Sequence, residues 1–159
     1  MAGKIFLLGN DIDTDQLAPG RFMGQGIKKL SEHCLENAYP NFPKLVKRGD
    51  VIFGGKNFGT GSSREQAVEV LKFLKISVVI AQSFAGIFYR NSINLGLPAV
   101  VCYDNLHVQD GEIVDFDLKN NQLNLIEKNK SIKLESIPTN LMEILNDGGL
   151  IPHLKKRIK

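Results

Sequence analysis

The stretch Asn57-Phe58-Gly59-Thr60-Gly61-Ser62-Ser63-Arg64-Glu65 combines two spaced glycines, two adjacent serines and an arginine, residue types that can hold an anion and present a hydroxyl to it. Gly59 and Gly61 can take backbone conformations closed to other residues and so admit a ligand close to the chain. The apolar run Val51-Ile52-Phe53 precedes the stretch, and Ala67, Val70, Leu71 and Leu74 follow at the spacing of a buried helix face. The order is strand, glycine turn, helix. Free N–H groups in the first turn of such a helix suit a carboxylate or phosphate, and Arg64 adds a planar fork for a carboxylate.

Ser62 or Ser63 also suits a helix cap, with Glu65 placed to complete a capping box, so a purely structural reading stands beside the anion site. Other glycine loops are excluded by their spacing. A Walker A phosphate loop needs Gly-x-x-x-x-Gly-Lys-Ser/Thr, and a dinucleotide fingerprint needs a third glycine where Arg64 stands. A Gly-x-Ser-x-Gly elbow is absent because Ser62 directly follows Gly61. What remains is a serine at a positive helix end beside an arginine, a setting that lowers the cost of an oxygen anion and suits a base.

A second polar segment, Asn10-Asp11-Ile12-Asp13-Thr14-Asp15-Gln16, follows the apolar strand Ile5 to Leu8. On an extended chain Asp11, Asp13 and Asp15 share one face. The later glycine and glutamate of an EF-hand loop are missing, which leaves a polar turn that orients an arginine as the better reading.

Together these segments resemble the small subunits of 3-isopropylmalate dehydratase and related two-subunit hydro-lyases, the swivelling domain of the aconitase superfamily. The resemblance rests on Asp13-Thr14-Asp15-Gln16 with Pro19, on Gly-x-Gly-Ser-Ser-Arg-Glu, on Ser83-Phe84-Ala85 with Ile87-Phe88-Tyr89-Arg90-Asn91, and on Asn94-Leu95-Gly96-Leu97-Pro98. It spans roughly residues 4 to 150. It implies an α/β fold: a single swivelling β/β/α domain over residues 1–159, with a mixed, partly parallel sheet flanked by helices and with C-terminal antiparallel hairpins. It further implies dehydration and rehydration of a hydroxy diacid in leucine biosynthesis, performed only with a large partner subunit that holds a [4Fe–4S] cluster through three cysteines. By the same resemblance Ser62 is the base, while Ser63, Arg64, Asp15 and Thr14 bind substrate. Gly59, Thr60 and Gly61 form the anion-binding turn, and Arg21, Phe22, Met23, Gly24 and Gln25 form the loop that reads the substrate.

The chemistry implied is coherent with these residue types, because a proton next to a carboxylate is very weakly acidic and needs a strong base in a dry, positively polarised pocket. Several positions depart from the family pattern. Thr60 stands where many members have cysteine, Gln66 where histidine is frequent, and Gly86 where a charged residue is frequent. The segment Gly20 to Gly26 departs most: Gly24 stands where homoaconitase-like members tend to carry an arginine for an extra carboxylate. A substrate with an apolar branch is therefore expected, with the small subunit of homoaconitase or of another alkylmalate (citramalate, dimethylmalate) hydro-lyase as the alternative.

At 159 residues and 43% hydrophobic content, without a composition shift, the chain is expected to form one domain. The formal charge of +3 is modest, and Lys155-Lys156-Arg157 with Lys159 reads as a solvated tail, so no nucleic-acid partner is expected. No apolar run suits a signal peptide or membrane span, which suggests a cytoplasmic protein. Cys34 and Cys102 are too few for a cluster, His33, His107 and His153 are scattered, and no metal site is expected. The cysteines read as reduced and buried, and His33 and Cys34, adjacent on a helix, point apart.

The pattern predicts strands at 4–8, 51–55, 76–81 and 98–102 and helices near 27–37, 62–75 and 84–94, an alternation that makes parallel strands. Period-two runs from Ile113, Gln122 and Ser131, separated by Asn120-Asn121 and Asn129-Lys130, predict antiparallel hairpins. A last helix from about Thr139 to Leu145 ends at Gly148-Gly149, and the one linker candidate is Tyr39 to Pro43. A non-catalytic anion-binding module would explain the glycine loop, but not the Asp13 to Gln16 turn or the Phe88 to Asn91 run.

Overall fold

The computed structural model describes residues 1–104 and 108–159; His107 lies outside them. A seven-stranded sheet runs β4-β3-β2-β1-β5-β6-β7, where β1 is Ala2–Leu7, β2 Val51–Phe53, β3 Val78–Ala81, β4 Ala99–Val101, β5 Ile113–Asp117, β6 Gln122–Leu125 and β7 Lys130–Lys133. Strands β1 to β4 are parallel, with Ile5 opposite Val51, Val51 opposite Val78 and Val79 opposite Ala99. Strands β5, β6 and β7 continue from β1 antiparallel, through Lys4 opposite Ile113. The expected mixed sheet with C-terminal hairpins is present, and Asn121 and Asn129 adopt the positive φ that the hairpin turns require.

Alternation along the parallel strands divides the core between the two faces of the sheet. Phe6, Ile52, Val79 and Ala81 face a layer formed by helix α4 (Gln66–Phe73), Leu17, Leu30, Cys34, Leu35 and Phe42. Ile5, Val51, Phe53, Val78 and Ile80 face the opposite way, with Val114, Leu123, Cys102, Ile93 of helix α5 (Gly86–Leu95) and Leu145 of helix α6 (Thr139–Asn146). Both cysteines are free and buried.

Five expectations are corrected. The predicted helix 27–37 is regular only over Ile27–Ser31, because tighter turns follow and Leu35, fully buried, takes a left-handed φ of 56°. Helix α4 starts at Gln66 and not at Ser62: Glu65 is its cap residue, without a side-chain cap bond, so neither serine caps it and no capping box forms there. The Asp11 to Asp15 segment is not extended, since Asp11 is left-handed and Asp13 caps a short helix, Thr14–Leu17. The basic tail is a helix, α7 (Leu150–Ile158), with His153 buried beneath it. The linker candidate Tyr39 to Pro43 is likewise packed, with Phe42 buried edge-on against Phe6.

Candidate functional site

Three loops leave the C-terminal ends of β1, β2 and β3, the edge at which open α/β sheets collect ligands. Hydrogen bonds stitch them together. Gly55 N–H donates to Gly9 O and Lys56 N–H to Asn10 Oδ1, joining the first loop to the second. The second meets the third where Asn57 N–H donates to Ser83 Oγ and Phe58 N–H to Ser83 O. Single strand-like bridges pair Asp13 with Thr60 and Phe58 with Phe84. Asn10, Asn57 and Ser83 are thus structural parts of the site to which the sequence motifs that contain them assign no role; they are polar loop residues with no periodic signal.

The glycine turn stands on this scaffold. Gly59 has φ of 82°, and a Cβ on it would fall 2.2 Å from Phe88 Cγ, so only glycine fits between the turn and α5. Gly61, φ 103°, lies over Thr14, whose side chain is buried and whose N–H donates to Thr60 O at 2.8 Å. Ser62 and Ser63 follow, both exposed. Among the described residues neither hydroxyl is hydrogen-bonded, and the N–H groups of residues 62 to 66 donate no bond. The helix field alone is weak three residues ahead of α4. Here a run of unpaired backbone donors, with two hydroxyls among them, favours an anion.

Arg64 is 22% exposed, and its Nη1 donates to Asp15 Oδ1 at 2.9 Å and to Ala18 O at 3.1 Å. Asp15 Oδ1 also accepts from Gly20 N–H at 3.0 Å. The Arg64 hydrogen bond, and after it the Gly20 N–H, holds the Asp15 carboxyl below its ordinary range, so Asp15 is ionised at neutral pH. Asp15 is itself positioned by the capping box on the same short helix, in which Asp13 accepts from Gln16 N–H at 2.8 Å and Gln16 Oε1 accepts from Asp13 N–H at 2.9 Å. The expectation that this acidic segment orients an arginine holds. With Nη1 occupied, the outer edge of the guanidinium keeps donors for a carboxylate.

The Arg21 to Gln25 segment forms a tight 3₁₀ turn, Gly20–Gln25, with no buried residue. Phe22 and Met23 pack against the rim of the core, and Gly24 has open space where a side chain would be. Beside the turn opens a cavity of about 340 Å³, lined by Asp15, Gly20, Arg21, His33 and Glu36 among others. Ser62 and Ser63 do not line it and are exposed. The structure therefore joins Arg64, Asp15 and the 20–25 turn through direct contacts, with the serines at the outer edge.

This chain does not fit an iron–sulfur cluster as a resident group. Among the described residues no group of three His, Cys, Asp or Glu side chains could hold a metal ion, and both thiols are buried in the core on different faces of the sheet. No helix among the described residues is long and apolar enough to cross a membrane.

Known proteins share this architecture. Residues 25–104 match the aconitase C-terminal domain. A methanogen homoaconitase small subunit from Methanocaldococcus jannaschii is 46% identical over 98% of this chain and 91% of its own length. A 3-isopropylmalate dehydratase small subunit from Halothermothrix orenii is 42% identical over 100% and 98% respectively. A solved structure of 3-isopropylmalate dehydratase from M. jannaschii superposes with a TM-score of 0.92 at 46% identity, covering 99% of this chain and 94% of that one. The chain thus belongs to the aconitase-superfamily small subunits of two-subunit hydro-lyases, the group that includes those of 3-isopropylmalate dehydratase and methanogen homoaconitase.

Proposed function

We propose that this chain is the small subunit of a 3-isopropylmalate dehydratase, working on a hydroxy diacid together with a large subunit that carries a [4Fe–4S] cluster. The observation that carries the reading is the exposed, unbonded Ser62-Ser63 pair, set in a run of free N–H donors beside an arginine clamped by Asp15. In the dehydration Ser62, as alkoxide, takes the proton from the carbon next to a carboxylate. The electron pair of that C–H bond becomes the double bond as hydroxide leaves the neighbouring carbon. Rehydration returns proton and hydroxyl with their positions exchanged. The backbone donors and Arg64 offset the cost of the serine anion, and Ser63 with the free edge of Arg64 holds substrate carboxylates. Asp15 fixes the fork of Arg64, and Thr14 seats the glycine turn. The cluster, on the partner, supplies Lewis-acid chemistry at the hydroxyl. The open position of the serines suits a site closed by that partner.

The relatives are named for different activities, so family membership alone does not choose a substrate. The 20–25 turn supports an apolar branch. Gly24 brings no charge, Phe22 and Met23 are apolar and half-buried against the core, and Arg21 is engaged by Glu36 at 3.3 Å. The second reading, a homoaconitase subunit, draws on Arg21: its side chain is 70% exposed and able to leave a surface ion pair of modest strength.

The test is to reconstitute the chain anaerobically with its large subunit and to compare kcat/KM for 3-isopropylmalate, citramalate and homoaconitate. The expected outcome is a preference for 3-isopropylmalate of at least about tenfold, the scale at which an apolar pocket discriminates. A preference for the tricarboxylate would make Arg21 or the partner the source of the additional charge. An inactive complex would leave the anion-binding module as the better reading.

A further inference from the structure

The first and second loops run side by side beyond β1 and β2, and both bend at a left-handed residue. Asp11 and Asn57 each have a φ of 57°, a conformation that aspartate and asparagine tolerate best after glycine. They stand at the same 46-residue offset that pairs Leu7 with Phe53, and Asn57 Nδ2 donates to Asp11 Oδ1 at 3.1 Å across the bend. The backbone is tied at the same place. Asp11 N–H donates to Lys56 O and Asn57 N–H to Ser83 Oγ, both at 2.8 Å. Asn57 is thus held from two sides, by the first loop through its side chain and by the third through its backbone.

Past the bend the register changes. Asp13 pairs with Thr60, where the offset of the strands would bring Gly59. Phe58 pairs with Phe84, where the offset of Phe53 to Ile80 would bring Ala85. Relative to both neighbours the second loop therefore carries one extra residue, as a β-bulge does. One extra residue exchanges the faces that successive side chains present, so its placement decides where the chain from Thr60 to Ser63 points. Asn57 stands at the head of that segment, one residue before Phe58 resumes pairing.

We propose that Asp11 and Asn57 are positioning residues for the base: their hydrogen bond fixes the extra residue at this point of the second loop and so aims Ser62. The proposal deepens the reading of Ser62 given above and rests on it. The ties of Arg64 run to Asp15 and the Ala18 carbonyl and involve neither Asp11 nor Asn57. Loss of the pin therefore falls on kcat more than on KM.

The experiment uses the reconstituted complex with Asn57→Gly, Asp11→Gly and Asp11→Asn. Glycine keeps the left-handed backbone accessible and removes the side-chain bond alone, so the variants fold. Expected for either glycine variant is a kcat for 3-isopropylmalate lowered about tenfold with KM within about twofold of wild type, the mark of a misplaced reacting group. Asp11→Asn keeps the Oδ1 acceptor and restores kcat toward wild type. The deciding comparison places Asn57→Gly in a Ser62→Ala background. A residue that acts through Ser62 lowers the residual kcat no further there, whereas a merely structural role lowers it by the same factor in both backgrounds. An undiminished kcat in Asn57→Gly, or an equal loss with and without Ser62, overturns the proposal while the proposed function stands. A wild-type complex inactive on hydroxy diacids overturns the two together.

Discussion

In the proposed reaction Arg64 and Ser62 have separable duties. Arg64 is gripped through Nη1 alone, by Asp15 and the Ala18 carbonyl, which leaves its remaining donors for a carboxylate. A lysine keeps the charge but offers no planar fork, so Arg64→Lys should raise KM with little change in kcat. Ser62 contributes only once a proton begins to move, and Ser62→Ala should lower kcat by on the order of a thousandfold, the usual scale for a general base. Steady-state kinetics of the complex separate the two, and a near-normal kcat in the serine variant would remove the base from Ser62.

Helix α7 illustrates the same coupling of charge to geometry at the scale of an element. Its apolar side chains Ile151, Leu154 and Ile158 are exposed, and its polar attachment runs through His153 and Lys156, whose Nδ1 and Nζ lie 2.7 and 2.9 Å from the two oxygens of Asp147, and through the exposed pair Arg157–Glu143 at 3.4 Å. The Lys156 contact first, and the His153 contact second, hold the Asp147 carboxyl below its ordinary range. A depressed carboxylate stabilises the fold above its unfolded pKa of about 3.9, and that contribution disappears as pH falls through the folded value. Amide protection of α7 should therefore persist from neutral pH to about pH 4 and decline only below it. Asp147→Asn should weaken protection at neutral pH and remove the acid-dependent step, as hydrogen exchange would show; an unchanged profile would mean that packing alone holds the helix.

At the scale of the whole molecule, the sheet was legible in the sequence because its signals are local: apolar runs at 51–53, 78–81 and 99–101 for parallel strands, and period-two runs separated by asparagines for the hairpins. The glycine turn was legible from residue type and spacing, and the acidic turn was read as orienting an arginine, but that Asp15 holds Arg64 was not. The start of α4 was not, because Ser-Ser-x-Glu fits a cap equally well, and bridges to Asp13 and Phe84 decide the path of the chain before it. Tertiary packing likewise overrode helical propensity at Leu35, and α7 was hidden because its buried contact is a histidine within a charge run. The contact of His33 Nδ1 with Glu36 Oε2 at 2.9 Å left only an i, i+3 pair as its trace.

The division of the core has one more consequence. Cys34 lies in the layer on one face of the sheet and Cys102 in the layer on the other, and burial raises the pKa of both thiols. A buried, protonated thiol does not react with an alkylating reagent until the structure around it opens. Each layer therefore carries its own chemical stopwatch. Because β1, β2 and β3 contribute side chains to both layers, we propose that the chain opens as a single unit, and that the two thiols are modified at matching rates in pulsed alkylation read by mass spectrometry. A Cys102 that reacts well ahead of Cys34 would instead assign the hairpin side of the sheet an independent, earlier opening.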